Sequence, residues 1–163
     1  MASAPAVRPA RADENDQVAA LWSAMYADQR ASGMTLALRP DAEDIWKRQL
    51  AGRLDTPVSV ILVAALPDAP ELVGFLAAQT KRLPPHLAAD KPKVGFISEV
   101  YVRPAARRHR LGRALVDAAF SWFTSADVGS VELHVLVDNA AGRAFWASLG
   151  FVPELLQLRA PLR

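Results

Sequence analysis

Apolar residues recur along the first third of the chain at helical spacing. They do so from Glu14 to Arg30, and again across Asp41–Arg53, each time with polar residues on the opposite face. A shorter apolar stretch at Val7–Arg11 comes before them and is typical of a strand. The pattern therefore predicts a strand followed by two helices.

The middle of the chain changes to short apolar runs that are rich in β-branched residues. Val58–Leu66 and Glu71–Thr80 are joined by a turn at Pro67–Pro70, which indicates a β-hairpin. Val94–Val102 is a further strand. The proline-punctuated segment Lys81–Lys93 separates the hairpin from this strand, and irregular loops of such length are often functional.

Helical and extended patterns alternate in the last third. Helices are predicted at Leu111–Thr124 and Ala140–Leu149, and strands at Val131–Val137 and Leu155–Leu162. The unit strand–helix–strand from 94 to 137 should place its two strands in parallel, with a right-handed crossover. Together the elements predict an α/β fold: one domain over residues 1–163 with a mixed central sheet and helices on both faces.

Composition narrows the class of protein. The chain has 163 residues, 52% of them hydrophobic, and no cysteine, which excludes disulfides, thiolate zinc sites and a cysteine nucleophile. Met1–Ala6 is an Ala/Ser/Pro tail that we expect to be flexible, and it lacks an apolar stretch of signal-peptide length. No apolar run approaches the ~18 residues of a membrane span. We therefore expect a cytoplasmic protein without membrane contact or metal.

Positive charge is concentrated at one turn. The net charge is only +2, yet basic residues crowd the turn between the strand at 94–102 and the helix at 111–124. A helix N-terminus offers unpaired amide N–H groups and a partial positive charge, so this turn is suited to a phosphate group. A merely solvated basic helix start is the alternative, and a nucleic-acid site is disfavoured because no aromatic residue lies among these side chains. The basic residues are Arg103, Arg107, Arg108, His109, Arg110 and Arg113.

The same turn resembles the central motif of the GNAT superfamily of N-acetyltransferases. That motif is a strand ending in Val-x-Pro, followed by Gln/Arg-x-x-Gly-x-Gly/Ala at the start of a helix. Val102 and Pro104 match the first part, Arg107 takes the Gln/Arg position, and Gly112 takes the final Gly. Arg110 stands where the family has its first Gly.

A second match lies in the next strand and helix. Leu133–Val135, Asn139, Gly150 and Phe151 resemble the family's strand–Asn–helix–Gly-Phe signature, and Trp146 stands where many relatives have Tyr. The two motifs together cover about residues 94–151, which we expect to form the cofactor-binding half of a GNAT-like fold.

The resemblance implies how acetyl-coenzyme A, the expected cosubstrate, would bind. In this family two neighbouring strands splay apart, the pantetheine arm lies in the gap along the first strand, and backbone amides of the turn hold the pyrophosphate. It implies these cofactor-binding residues: Val100, Tyr101, Val102, Arg107, Arg108, His109, Arg110, Leu111, Gly112, Arg113, Asn139 and Trp146.

Two residues are candidates for the base that takes a proton from the acceptor amine. Glu99 is a charged residue inside an apolar strand, and parts of the family carry an acid at or beside this position. His134 lies between two core-facing residues, so it should point to the opposite face of the sheet. A carboxylate bonded to loop backbone and a half-buried strand histidine are the structural alternatives. Tyr101 is a weaker candidate for the acid that protonates the leaving thiolate.

The sequence thus predicts an enzyme that moves an acetyl group from acetyl-coenzyme A to a primary amine by direct attack in a ternary complex. The acceptor is a small-molecule amine or an amine of a peptide or protein, and the sequence does not name it. The alternative is a non-catalytic sensor that binds acyl-coenzyme A, because Arg110 and Trp146 replace residues typical of the family. Relatives often form dimers, so the resemblance allows a homodimer, but the sequence does not determine the oligomeric state.

Overall fold

The computed structural model of the protein describes residues 6–54, 56–67, 69 and 71–162. Most of the predicted tail at Met1–Ala6 lies outside these residues, as do part of the predicted turn at Pro67–Pro70 and the side chain of Arg108, a predicted coenzyme contact.

Five strands and four α-helices form the described part of the chain, with short 3₁₀ turns at Ala12–Glu14 and Pro104–His109. The helices are α1 (Asn15–Ala31), α2 (Ala42–Arg53), α3 (Leu111–Ser125) and α4 (Ala140–Ser148). The strands are β1 (Ala6–Pro9), β2 (Ser59–Ala65), β3 (Leu72–Arg82), β4 (Lys93–Val102) and β5 (Ser130–Leu133).

The strands make one mixed sheet in the order β1-β2-β3-β4-β5. The first three neighbouring pairs are antiparallel, and β4 and β5 are parallel, joined by α3. This arrangement confirms the predicted hairpin, the strand–helix–strand unit and the mixed sheet. Among the described residues no helix is long and apolar enough to cross a membrane.

Two apolar clusters hold the helices on opposite faces of the sheet. Trp22, Trp46 and Phe75 belong to the cluster between the sheet and helices α1 and α2. Leu76 and Leu115 belong to the cluster between the sheet and helices α3 and α4. Successive residues of β3, Phe75 and Leu76, thus point to opposite clusters, as the twofold period of a strand requires. Helices on both faces are therefore confirmed.

The prediction was wrong at the end of the chain. Residues 152–162 form no strand among the described residues, although Leu155–Leu162 was predicted to be one. The strand predicted at Val131–Val137 also stops at Leu133. An apolar, alternating segment becomes a strand only where a neighbour supplies hydrogen bonds, and the sequence pattern does not show whether that neighbour is present.

Candidate active site

A fork between β4 and β5 lies at the centre of the candidate site. The parallel pairing of these strands ends at the pair Ile97 and Leu133. One residue later β4 carries a bulge, because Glu99 pairs with Ala77 and Ile97 pairs with Ala78, which leaves Ser98 without a partner in the register. A bulge bends its strand, so β4 turns away from β5 here. The β4 backbone beyond Ile97 is not paired with β5, so it is available to an extended ligand arm at the carboxyl ends of the two strands.

The same bulge places Glu99 on the face of the sheet covered by α1 and α2. Glu99 is in register with Ala77, which lies in the α1/α2 cluster, whereas Ile97 lies in the opposite cluster. Its carboxylate is 3.6 Å from a guanidinium nitrogen of Arg53, and the carboxylate side chain is only 14% exposed. The Ser98 hydroxyl donates a hydrogen bond to it, and Arg53 donates one to Ser98 at 2.8 Å.

His134 lies on the other arm of the fork, directly after the last paired residue of β5. Its ring meets the Phe96 ring edge-to-face, with 5.3 Å between centroids. Phe96 is in register with Gln79 on β3, on the same side of the sheet as Ala77. His134 therefore faces the α1/α2 side, as predicted, and it is exposed rather than half-buried. The two base candidates thus flank the mouth of the fork on one face.

The C-terminal end of α1 contacts both arms of the fork. Asp28 accepts a hydrogen bond at 3.0 Å from Arg107, which also donates from its Nε to the Val102 carbonyl oxygen at the end of β4. On the other side, a Cβ built at Gly33 would lie 3.0 Å from a carboxylate oxygen of Asp138. The end of α1 therefore forms one wall of the opening.

Two tyrosines stand next to the carboxylates. Burial raises the pKa of Tyr101 above its ordinary value, and the neighbouring Asp28 carboxylate adds to the rise. Burial also raises the pKa of Tyr26, with a further contribution from Glu99. Both phenols are therefore neutral at physiological pH and keep their protons. A neutral Tyr101 is compatible with a role as a proton donor.

The turn at residues 103–113 has the chemistry of a phosphate site. Ala114 donates the first hydrogen bond of the α3 helix, to the Arg110 carbonyl oxygen, so the amides of Leu111, Gly112 and Arg113 precede the helical ladder. The exposed side chains of Arg110 and Arg113 add positive charge beside these amides. A donor set of backbone amides and guanidinium groups fits a pyrophosphate.

Several predicted coenzyme contacts are already engaged in holding the fold. The side chain of Arg107 binds Val102 and Asp28, so its predicted contact with phosphate would have to compete with two internal hydrogen bonds. Leu111 and Val102 are buried in the α3/α4 cluster, which leaves only their backbone groups for a ligand. Val100 packs at the edge of the same cluster, and His109 is exposed.

Asn139 and Trp146 also have structural roles in the α4 helix. The Asn139 side chain accepts a hydrogen bond from the Gly142 amide at 2.9 Å, which makes it the N-cap of α4. Its amide nitrogen lies over Gly142, because a Cβ built at Gly142 would be 2.6 Å from that nitrogen. Trp146 is buried, and its ring packs edge-to-face against Phe145 and Phe151 at 5.0 and 5.1 Å. This packing supports a positioning contribution from the indole more than a chemical one.

Comparison with known proteins decides the family. Residues 14–151 match the Acetyltransferase (GNAT) family, which is most of the chain and includes both motifs. The chain belongs to the GNAT family. The GNAT protein is therefore an enzyme, an N-acetyltransferase, and the family assignment made from the two motifs is confirmed.

Three relatives illustrate this membership. The sequence is 28% identical to an aminoglycoside N(6')-acetyltransferase type 1 of Klebsiella aerogenes, over 98% of this chain and 96% of the relative. An aminoglycoside antibiotic 6'-N-acetyltransferase from Acinetobacter baumannii superimposes with a TM-score of 0.74 at 17% identity, covering 98% and 99% of the two chains. A predicted acetyltransferase with acetyl-CoA from Clostridium acetobutylicum gives 0.78 at 16% identity, covering 95% and 96%. The two structural matches concern the fold alone.

Sequence reasoning missed four residues that the fold brings to the fork. Arg53 and Asp28 come from the two N-terminal helices, Ser98 is the bulged residue, and Asp138 precedes Asn139. For Asp138 a signal was available, because it is a carboxylate directly beside a matched motif residue at the end of a strand. Nothing in the spacing of Arg53 or Asp28 indicates that they reach β4.

A substitution of Arg110 tests two effects separately: the effect of its backbone conformation on stability, and the effect of its side chain on coenzyme A binding. Its φ is +57°, in the left-handed region that glycine adopts without strain, which explains why the family has Gly here. We expect Arg110→Gly to raise the unfolding temperature by about 2–4 °C, which corresponds to about 1 kcal/mol for a protein of this size. Calorimetry should show weaker coenzyme A binding, by about 1–3 kcal/mol for a lost charged hydrogen bond.

Asp127→Gly is the matched control, since Asp127 also has a φ of +57° and lies after the opposite end of α3. We expect Asp127→Gly to raise the unfolding temperature by a similar amount, reduced slightly because the exposed ion pair between Asp127 and Lys91 is lost. This variant should bind coenzyme A as tightly as the wild-type protein does. If Arg110→Gly bound coenzyme A as tightly as the control, the Arg110 side chain would not touch the phosphates.

Proposed function

We propose that the protein transfers the acetyl group of acetyl-coenzyme A to a primary amine of an aminoglycoside-type acceptor. The observation that carries this proposal is the set of carboxylates on the α1/α2 side of the fork. Asp28, Glu99 and Asp138 come from three different parts of the chain and border the fork, where Asp28 is paired with Arg107, Glu99 is paired with Arg53, and Asp138 lies beside Gly33. A polycationic amino sugar needs such an arrangement of negative charge at the mouth of the site. The relatives named as aminoglycoside acetyltransferases support the same acceptor class.

The coenzyme would bind at the start of α3 and along β4, and the acceptor would bind on the α1/α2 side of the fork. The amides at the start of α3, together with Arg110 and Arg113, would hold the pyrophosphate of the coenzyme. Exposed backbone of β4 beyond the bulge would bind the pantetheine arm. Acetyl-coenzyme A supplies an activated acyl carbon as a thioester. Holding both reactants at the fork replaces a bimolecular encounter by reaction within one complex.

Glu99 is the residue that we assign as the base. The amine nitrogen forms the new bond to the acyl carbon and loses a proton, the carbon–sulfur bond breaks, and the thiolate takes up a proton. Glu99 would accept the amine proton directly or through one water. Arg53 and Ser98 hold its carboxylate at the bulge and so orient it. Tyr101, two residues further along the same face, would return a proton to the thiolate.

An acceptor panel tests the proposal. Thiol release from acetyl-coenzyme A is measured with aminoglycosides, linear polyamines and peptides with a free N-terminus, and the protein adds no background because it has no cysteine. We expect turnover with aminoglycosides and a product that carries one added acetyl group by mass spectrometry. Coenzyme binding without acceptor-dependent thiol release would favour the sensor instead. Turnover confined to polyamines or peptides would overturn the acceptor class.

Asp138→Asn tests the electrostatic basis of acceptor recognition. Removing one carboxylate from the mouth should raise the KM for a polycationic aminoglycoside about tenfold, the effect of losing roughly 1.4 kcal/mol. Affinity for coenzyme A should not change. Asp44→Asn is the control, because Asp44 is an exposed carboxylate on α2 away from the fork. Equal KM values for the two variants would show that Asp138 does not bind the acceptor.

A further inference from the structure

The Arg107 guanidinium links the coenzyme side of the fork to the acceptor side. Its Nε donates to the Val102 carbonyl oxygen at 3.0 Å, and a terminal nitrogen donates to the Asp28 carboxylate, also at 3.0 Å. Val102 is the last residue of β4, along which we place the pantetheine arm, and Asp28 belongs to α1, which forms one wall of the opening. One side chain therefore contacts both of the proposed ligand surfaces.

The ion pair between Arg107 and Asp28 is one that a ligand can replace. Their side chains are 54% and 51% exposed, and an ion pair with this exposure contributes little to stability because water screens the charges. Arg107 lies in the 3₁₀ turn Pro104–His109, three residues and thus about one turn before Arg110. A guanidinium forms stronger and often bidentate hydrogen bonds with phosphate, so the pyrophosphate of the coenzyme is the better partner for Arg107.

Asp28 keeps a second neighbour when its guanidinium partner is removed. The centroid of the Tyr101 ring is 5.8 Å from the Cζ atom of Arg107, so the ring lies beside this ion pair. Burial raises the pKa of Tyr101, and the Asp28 carboxylate raises it further, so the phenol remains protonated next to that carboxylate. Without Arg107, Asp28 is a negative charge on the wall of the opening, where an ammonium group of a polycationic acceptor can bind.

We propose that Arg107 exchanges partners when the coenzyme binds: its guanidinium turns from Asp28 to the pyrophosphate, and the released carboxylate binds an ammonium group of the acceptor. This inference rests on the proposed function for its acceptor class. Each ligand takes one partner of the same ion pair, so the binding of either ligand favours the binding of the other, and this coupling is reciprocal. The exchange reconciles the position of Arg107 in the family motif with its hydrogen bond to Asp28.

Calorimetry with coenzyme A tests the coenzyme half of the exchange without an acceptor. Asp28→Asn removes the charge that holds Arg107, so it should lower the dissociation constant of coenzyme A about threefold, the range expected for an exposed ion pair. The same substitution in an Arg107→Gln protein should leave the dissociation constant unchanged. Glutamine is the matched replacement, because the family motif has either Gln or Arg at this position. No effect of Asp28→Asn, or an equal effect in both backgrounds, would refute the exchange.

Titration with kanamycin A, a polycationic aminoglycoside, tests the acceptor half. Coenzyme A replaces acetyl-coenzyme A, so no acetyl group is transferred during the measurement. Saturating coenzyme A should tighten kanamycin binding about fivefold in the wild-type protein, and Arg107→Gln should reduce this ratio to less than about twofold. Arg103→Gln is the control, because it removes an exposed arginine from the same turn, and it should keep the wild-type ratio. Equal ratios in the wild-type and Arg107→Gln proteins would refute the coupling.

The two measurements distinguish a failure of this inference from a failure of the proposed function. If kanamycin did not bind in either state, while the effect of Asp28→Asn on coenzyme A still required Arg107, the acceptor class would be wrong and the exchange of partners would be supported. If kanamycin bound, but neither the ratio nor the coenzyme affinities depended on Arg107, the exchange would be refuted and the acceptor class would be retained.

Discussion

Gly112→Glu should abolish coenzyme A binding, with a dissociation constant at least about a hundredfold higher, equivalent to about 3 kcal/mol. Gly112 is the second residue of α3, where the amide groups proposed to hold the pyrophosphate lie. A carboxylate there places negative charge against the phosphates and occupies their approach to the backbone. Isothermal calorimetry with coenzyme A measures the loss directly.

The fold should tolerate this change. A Cβ at Gly112 would meet only the Phe145 ring, at 3.5 Å, which is an ordinary contact. An acidic side chain in the first turn of a helix also interacts favourably with the helix dipole. Gly112→Gln is the matched control, because it has the same size without the charge, and it should lose less affinity. Unchanged affinity in a folded Gly112→Glu protein would remove the turn from the cofactor site.

Local patterns predicted the elements that make this turn. The helical period and the apolar strand run on either side of it depend on neighbouring residues only, so α3 and β4 were predicted within one residue of their observed ends. The hairpin and the two N-terminal helices were predicted for the same reason. The family motif then indicated coenzyme A as the ligand of this turn, which the apolar periodicity alone does not indicate.

The acceptor side could not be predicted in this way, because its contacts join elements far apart in the sequence. Arg53 reaches Ser98 and Glu99 only because β4 carries a bulge. A bulge adds one residue to a strand and leaves the apolar pattern almost unchanged. Without it, strict alternation would put Glu99 on the same face as Ile97, in the α3/α4 cluster. The bulge therefore turns the carboxylate toward the acceptor.

Asp138 shows a second limit of local patterns. The sequence predicted a strand that continues to Val137, and in such a strand residues 134–137 would be part of the sheet. In the structure β5 stops at Leu133, so residues 134–138 border the fork, and Asp138 lies next to Gly33. The length of β5 depends on where β4 bends away, and hence again on the bulge at Ser98.

Glu99→Gln should lower kcat by about 10²-fold or more while leaving affinity for coenzyme A unchanged. Glutamine keeps the size of the side chain and an oxygen that can accept the Ser98 hydrogen bond, but it cannot take up a proton. The fold and the position of Arg53 should therefore be retained. Steady-state kinetics with an aminoglycoside and calorimetry with coenzyme A measure these two expectations separately.

His134→Ala is the matched comparison, since His134 flanks the same fork from β5. If Glu99 is the base, His134→Ala should retain most of the wild-type kcat. The opposite pair of results would assign the base to His134, whose ring is exposed at the fork. If neither variant lost more than about threefold, the amine would arrive already neutral, and positioning at the fork would drive the transfer.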